Sequence, residues 1–284
     1  MKFFDAHNHL QDDRFAGRQS ELVAQAEGAD VAAMVVNGAC ESDWPHVVEL
    51  ATRHASVIPS LGFHPWYLHE RTPGWLERLE ALLAQSGAAV GEIGIDRWIL
   101  GQPAAVRSHY NPALASATPT SIEEQCEVFV VQLALAYKYN RPASIHCLQA
   151  WGRMEELLRQ NARPKCGVVL HSYGGPAEMI PSFTKLGAYF SFPGYFLQER
   201  KQRQRDVFKR VPLDRLLVET DAPDQLPPDR WNRFPLDNPS NGKPLNHPAN
   251  LPAIYEGLAE VLGVPLNELA AQVEGNFRRV FRRE

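Results

Sequence analysis

Six short apolar runs in this 284-residue sequence end in histidines or carboxylates. The first carries Asp5, His7 and His9; the others end at His64, at Glu92 and Asp96, at His146, at His171, and at Glu219 and Asp221. Alternate residues of a strand share a face, so Asp5, His7 and His9 are expected to point together, as are Glu92 with Asp96 and Glu219 with Asp221. Imidazole nitrogens and carboxylate oxygens are ligands for divalent ions. Four imidazoles with two carboxylates suffice for two adjacent ions that share a carboxylate and a water, or for one ion in a simpler centre. So nitrogen-rich a set favours Zn²⁺ or another transition ion such as Mn²⁺, while oxygen-preferring Mg²⁺ suits only the more open position.

Such residues converge only if the runs are neighbouring strands whose C-terminal ends meet. Eight β-type runs are legible, at 3–9, 31–37, 57–63, 88–96, 143–147, 168–172, 188–192 and 216–221, and helix-type segments alternate with them. Helix starts are marked by Thr72-Pro73, read as N-cap and first helical residue, and by the capping box Ser121-Ile122-Glu123-Glu124. Two helical stretches, 253–262 and 266–281, follow the eighth run and are expected to close the outer ring. The pattern predicts an α/β fold, a (β/α)₈ TIM barrel forming a single domain over residues 1–284. Long loops at 97–120 and 222–246, the latter with six prolines, are expected over the C-terminal face, where barrel active sites are built.

Composition removes several classes. With 29 Lys and Arg against 33 Asp and Glu, and 44% apolar residues, the chain is neither disordered nor a dedicated nucleic-acid coat. The longest uncharged apolar stretch, 128–137, is half the roughly 20 residues a membrane helix needs. Acidic and histidine residues arrive by position 7, before a signal-peptide core can form, so a cytoplasmic location is expected. The four cysteines form no C-x-x-C pair and are read as free buried thiols.

The motifs Asp5-Ala6-His7-Asn8-His9-Leu10, Gly62-Phe63-His64-Pro65, Gly91-Glu92-Ile93-Gly94-Ile95-Asp96, Ile145-His146, Leu170-His171-Ser172-Tyr173-Gly174-Gly175, Ser191-Phe192-Pro193-Gly194, Val218-Glu219-Thr220-Asp221-Ala222-Pro223 and Glu274-Gly275-Asn276-Phe277 occur in one order along the chain. In these it resembles the TatD family of metal-dependent deoxyribonucleases, within the amidohydrolase-like barrels. The resemblance implies hydrolysis of DNA phosphodiesters, as 3′-to-5′ exonuclease or endonuclease, with two divalent ions (Zn, Mg or Mn). By position it implies His7, His9 and Asp221 on one metal, Glu92 bridging, His146 and His171 on the second, and His64 beside the substrate phosphate. Asp221 and Glu92 then carry catalysis, Asp221 by orienting and deprotonating water, while Glu219, Asp96 and Asp5 are expected to hold histidine tautomers. The sequence departs from the family in having Cys147-Leu148-Gln149 where many members place an arginine, a longer segment 97–120, and His247 where an acidic residue is common.

The expected partner is DNA, as single strands or ends, with no membrane and no obligate protein partner. Arg230 and Arg233 are candidates to replace the missing arginine, and Trp231 or Trp66 to stack on a base. The run Arg200, Lys201, Arg203, Arg205, Lys209 and Arg210 reads either as a phosphate-binding patch or as the solvated face of a helix whose Phe196, Val207 and Phe208 turn inward. Two other readings share the ligand set. One is an amidohydrolase or lactonase acting on a C–N or C–O bond, although such barrels often bridge their metals with a carboxylated lysine and the fourth run has none. The other is a non-enzymic metal-binding protein.

Overall fold

In the computed structural model, which describes residues 1–110, 114 and 118–281, one sheet of eight parallel strands runs in chain order. The strands are β1 (Phe3–Asn8), β2 (Val31–Gly38), β3 (Val57–Leu61), β4 (Ala89–Asp96), β5 (Ala143–Leu148), β6 (Val168–Leu170), β7 (Ala188–Pro193) and β8 (Leu216–Glu219). Almost every residue in them is buried, as expected where helices cover a parallel sheet on its outer face and side chains fill the interior. Two backbone bonds above the strand ends join the first strand to the last. Asp221 N–H donates to the His7 carbonyl at 2.9 Å, and His9 N–H to the Ala222 carbonyl at 2.7 Å. The architecture is the expected (β/α)₈ barrel.

The outer ring comprises α1 (Gln19–Gly28), α2 (Trp44–Arg53), α3 (Trp75–Ser86), α4 (Ala104–Tyr110), α5 (Ile122–Tyr139), α6 (Trp151–Gln160), α7 (Ile180–Lys185), α8 (Gln202–Phe208), α9 (Leu251–Leu262) and α10 (Leu266–Phe281). The Ser121 hydroxyl caps α5 by accepting from Glu124 N–H at 3.2 Å, as the capping box predicts. Thr72-Pro73 does not start a helix. Gly74, in a left-handed conformation, precedes α3, while Thr72 binds the Glu41 carboxylate instead. Below the barrel, Asn276 of α10 donates to the carbonyls of Leu213 and Leu216 at 2.7 and 2.8 Å, bracing the start of β8.

Both expected long loops carry structure of their own. The segment after β4 includes a 3₁₀ turn (Ile99–Gly101) and α4; residues 111–113 and 115–117 of the expected 97–120 loop lie outside the described residues. The segment 222–246 holds a 3₁₀ turn (Asp229–Trp231) and an antiparallel ribbon, β9 (Leu236–Asp237) with β10 (Pro244–Leu245). All four cysteines are buried, and none is in a disulfide. Among the described residues no helix is long and apolar enough to cross a membrane.

Candidate metal centre

Glycine lets β4 and β5 press together where the site begins. A Cβ on Gly94 would lie 1.9 Å from the His146 carbonyl oxygen, so only glycine permits the approach. Glu92, two residues earlier, thereby reaches the interior beside His146. Its carboxylate lies between two groups of side chains. Glu92 Oε2 is 3.2 Å from His9 Nε2 and 3.4 Å from His7 Nε2, with Asp221 Oδ1 3.6 Å from each of those nitrogens. Glu92 Oε1 is 2.9 Å from His171 Nε2, 3.1 Å from His146 Nδ1 and 3.5 Å from His64 Nε2. The structure thus brings His7, His9, His64, Glu92, His146, His171 and Asp221 together at the C-terminal mouth.

Hydrogen bonds behind the histidines show which nitrogens face inward with a lone pair. His9 Nδ1 faces the Asn37 carbonyl at 2.8 Å and must carry the hydrogen there, so Nε2 of neutral His9 is an acceptor. That acceptor faces His7 Nε2 at 3.2 Å as well as two carboxylates. His146 donates from Nε2 to Asp96 Oδ2 at 3.0 Å, which aims the Nδ1 lone pair at Glu92 and at His171 Nε2. Buried acceptors facing one another repel unless a proton or cation sits between them. The residues therefore fit a metal-binding role, and the trios His7–His9–Asp221 and His7–Glu92–His171 each place their ligand atoms within 4.8 Å of one another. His64 differs. Its Nδ1 accepts from Trp66 N–H, which leaves Nε2–H pointing inward as a donor.

Charge within the cluster is strongly coupled. Burial resists ionisation of Glu92, but the facing imidazoles of His171, His64 and His7 outweigh it and hold the carboxyl well below its usual range. Burial likewise opposes protonation of His146 and His171, yet Asp96 with Glu92 raises the first, and Glu92 with Glu219 raises the second. His7, backed by a neutral hydroxyl and facing His171, is lowered to about 4 by burial and that charge. Burial lifts Asp221 to about 7 against the pull of His171 and His9.

Several expectations about supporting residues need correction. Asp221 is not the end of a strand: β8 stops at Glu219, and Asp221 adopts a left-handed φ of 54°, so the shared-face argument for Glu219 and Asp221 fails. Glu219 instead lies beneath, accepting from Ser172 N–H and from the Ser172 and Ser191 hydroxyls, with His171 Nδ1 3.6 Å away. Asp5 holds no histidine tautomer. Its carboxylate accepts from the backbone N–H groups of Thr220 and His7 and from the Thr220 hydroxyl, tying β1 to β8, and burial raises it to about 7. Asp96 does hold a histidine, and Trp66 adds an indole N–H to the same oxygen at 2.6 Å, so that indole is a partner of Asp96.

His64 apart, the candidates for substrate contact do not gather at the centre. Trp231 is only 6% exposed, lies under Arg230 and offers no free face to a base. Arg230 and Arg233 pair with Glu260 and Glu256 of α9. His247 accepts from Ala249 N–H through Nδ1 and meets Gln25 Oε1 at 2.6 Å through Nε2, a neutral structural histidine on the α1 side. Sequence reading missed Ser144, which binds His7 Nδ1 at 2.8 Å, and Gln225, whose amide bonds Asp221. Strand alternation points to Ser144, two residues before His146 on β5. No comparable signal exists for Gln225.

A family model described as TatD related DNase matches residues 4–282. The chain is 29% identical over 280 residues to the 3′-5′ ssDNA/RNA exonuclease TatD of Escherichia coli (strain K12), covering 98% of each. It is 27% identical over 282 residues to the uncharacterized metal-dependent hydrolase YabD of Bacillus subtilis (strain 168), again covering 98% of each. Among solved structures it superposes on YjjV, a TatD homolog from Escherichia coli K12, with a TM-score of 0.82 and 27% identity, covering 99% of this chain and 98% of that one.

Proposed function

The chain belongs to the TatD related DNase family of metal-dependent hydrolases, and we propose that it cleaves phosphodiester bonds in single-stranded DNA or at DNA ends, using two divalent ions that share Glu92. The observation that carries this reading is the position of Glu92, one carboxylate with each oxygen turned to a separate set of imidazoles. His7, His9 and Asp221 would hold one ion, and His146 and His171 the other. When bound, Zn²⁺, Mn²⁺ or Mg²⁺ supplies a lowered pKa for water and neutralises charge on the phosphoryl oxygens. Asp221, steadied by the Gln225 amide, orients the attacking water and accepts its proton on a carboxylate oxygen. His64 donates its Nε2 hydrogen to a non-bridging phosphate oxygen. One step back, Asp96 fixes the ring of His146 by accepting from its Nε2, and the Glu219 carboxylate lies 3.6 Å from His171 Nδ1.

The test is single-turnover cleavage of a 5′-labelled single-stranded oligonucleotide by metal-reconstituted protein, beside Glu92→Ala and His146→Ala. A ladder shortening from the 3′ end and absent in both variants is expected. Intact DNA, with turnover of an amide or lactone that both variants lose, would move the protein to the amidohydrolase reading.

A further inference from the structure

The basic run after β7 divides in the structure. Val207 and Phe208 of α8 and the preceding Phe196 are buried, as a solvated amphipathic helix requires. Arg205 is consumed by the carbonyls of Phe196, Gln198 and Glu199, Lys209 by Asp206, and Arg210 by Glu178. Arg200 and Lys201 follow a different course. Among the described residues neither forms an ion pair; both gather on Tyr195, with the Lys201 ammonium 4.5 Å and the Arg200 guanidinium 5.3 Å from its ring centroid. Arg200 also donates to the Tyr195 hydroxyl at 2.9 Å. A ring quadrupole holds cations in place without cancelling their charge, so this pair remains available to an anion.

Its place relates it to the metal centre. Tyr195 lies two residues beyond Pro193, which pairs with Glu219 at the top of β8. A Cβ on the intervening Gly194 would meet Pro227 and Ile254 at about 3 Å, so the segment is pressed against the connection after β8. Gln198 donates to the Leu226 carbonyl, and the adjacent Gln225 bonds Asp221. These contacts tie the segment that carries the two cations to the connection that carries Asp221.

We propose that Arg200 and Lys201, steadied by Tyr195, grip backbone phosphates of a polynucleotide next to the one at the metal centre. This rests on the phosphodiesterase reading and assigns that site a preference for polymeric over single-phosphate substrates. It also supplies the positive charge that Cys147-Leu148-Gln149 does not.

The experiment compares wild type, Arg200→Gln/Lys201→Gln and the paired-cation control Lys209→Gln. Affinity for a phosphorothioate single-stranded oligonucleotide is measured against salt, and turnover of bis(p-nitrophenyl) phosphate is measured in parallel. Each single-strand phosphate contact contributes a slope near −0.7 in log K against log salt, so losing two flattens it by about 1.4, or about 25-fold weaker binding at roughly 0.1 M salt if the lines converge near 1 M. The small diester, too short to reach the pair, should turn over unchanged. Parallel salt lines for the double variant and wild type, or equal flattening in Lys209→Gln, would overturn the proposal. Failure of the wild type to hydrolyse both bis(p-nitrophenyl) phosphate and an unmodified oligonucleotide of the same sequence would instead overturn the phosphodiesterase reading, with the salt slope still reporting on the cation pair.

Discussion

The two sides of the Glu92 carboxylate reach similar geometry by different means. On the Oε2 side three further ligand atoms converge, from His7, His9 and Asp221, and the histidines are backed by neutral groups, the Ser144 hydroxyl and the Asn37 carbonyl. Among the described residues the Oε1 side offers His146 and His171 as candidate ligands, with His64 close by but turned as a donor, and Asp96 and Glu219 stand behind them. A carboxylate behind an imidazole makes it a more basic ligand and fixes its tautomer, and loss of such a partner typically costs about 10–100-fold in metal affinity. One side thus draws its grip from the number of donors and the other from the charge behind them. The expectation is two metal-binding steps of unequal strength, the weaker on the β5–β6 side.

Glu92→Gln strikes both sides at once. Turnover should fall at least about a thousandfold, roughly 4 kcal/mol of barrier, and both steps of a zinc titration by calorimetry should weaken; a variant that loses one step alone would show that Glu92 serves a single ion. Asp96→Asn should lower the affinity of the weaker step by about 10–100-fold while the stronger one holds, and equal movement of both would break the contrast drawn above. Ser144→Ala removes a neutral partner from His7, so the stronger step should weaken only about fivefold, near 1 kcal/mol. A shift as large as that of Asp96→Asn would mean that charge behind the ring is not what matters. His247→Gln lies outside both sides and should leave both steps in place.

That last variant should still change acid stability. Burial, with the nearby Arg18 charge, holds His247 at about 4 against the ordinary 6.5. As pH falls through that interval the unfolded chain takes up a proton that the folded chain refuses, so stability present above pH 6.5 is lost toward pH 4. Thermal melts of His247→Gln should lose less Tm over the same window; an unchanged slope would assign the acid sensitivity to other groups.

The barrel was legible because parallel strands buried on both sides read as apolar runs, and the histidines and carboxylates interrupt those runs at one end. Their clustering followed from strand order alone. What escaped the sequence lies where the chain leaves the sheet. His64 and His171 are legible as site residues but stand just beyond β3 and β6 rather than at their last positions, and the bend at Asp221 breaks the two-residue period. Trp231 shows a second limit: a tryptophan beside arginines in a proline-rich segment reads the same whether it faces solvent or packs against α9. The basic run shows a third, since separating its engaged cations from its available ones required knowing where Glu178, Asp206 and three carbonyls fall.

The closure of β1 on β8 also sets a clock on the site. His7 and His9 emerge during translation about 210 residues before Asp221, a delay of roughly 10–40 s at ordinary elongation rates of about 5–20 residues per second. Until the last strand docks, the Asp5–Thr220 tie is missing and the first two histidines have no carboxylate from β8 beside them. The nascent chain is expected to stay inert toward nucleic acid around it, and release of the finished polypeptide permits hydrolysis to begin.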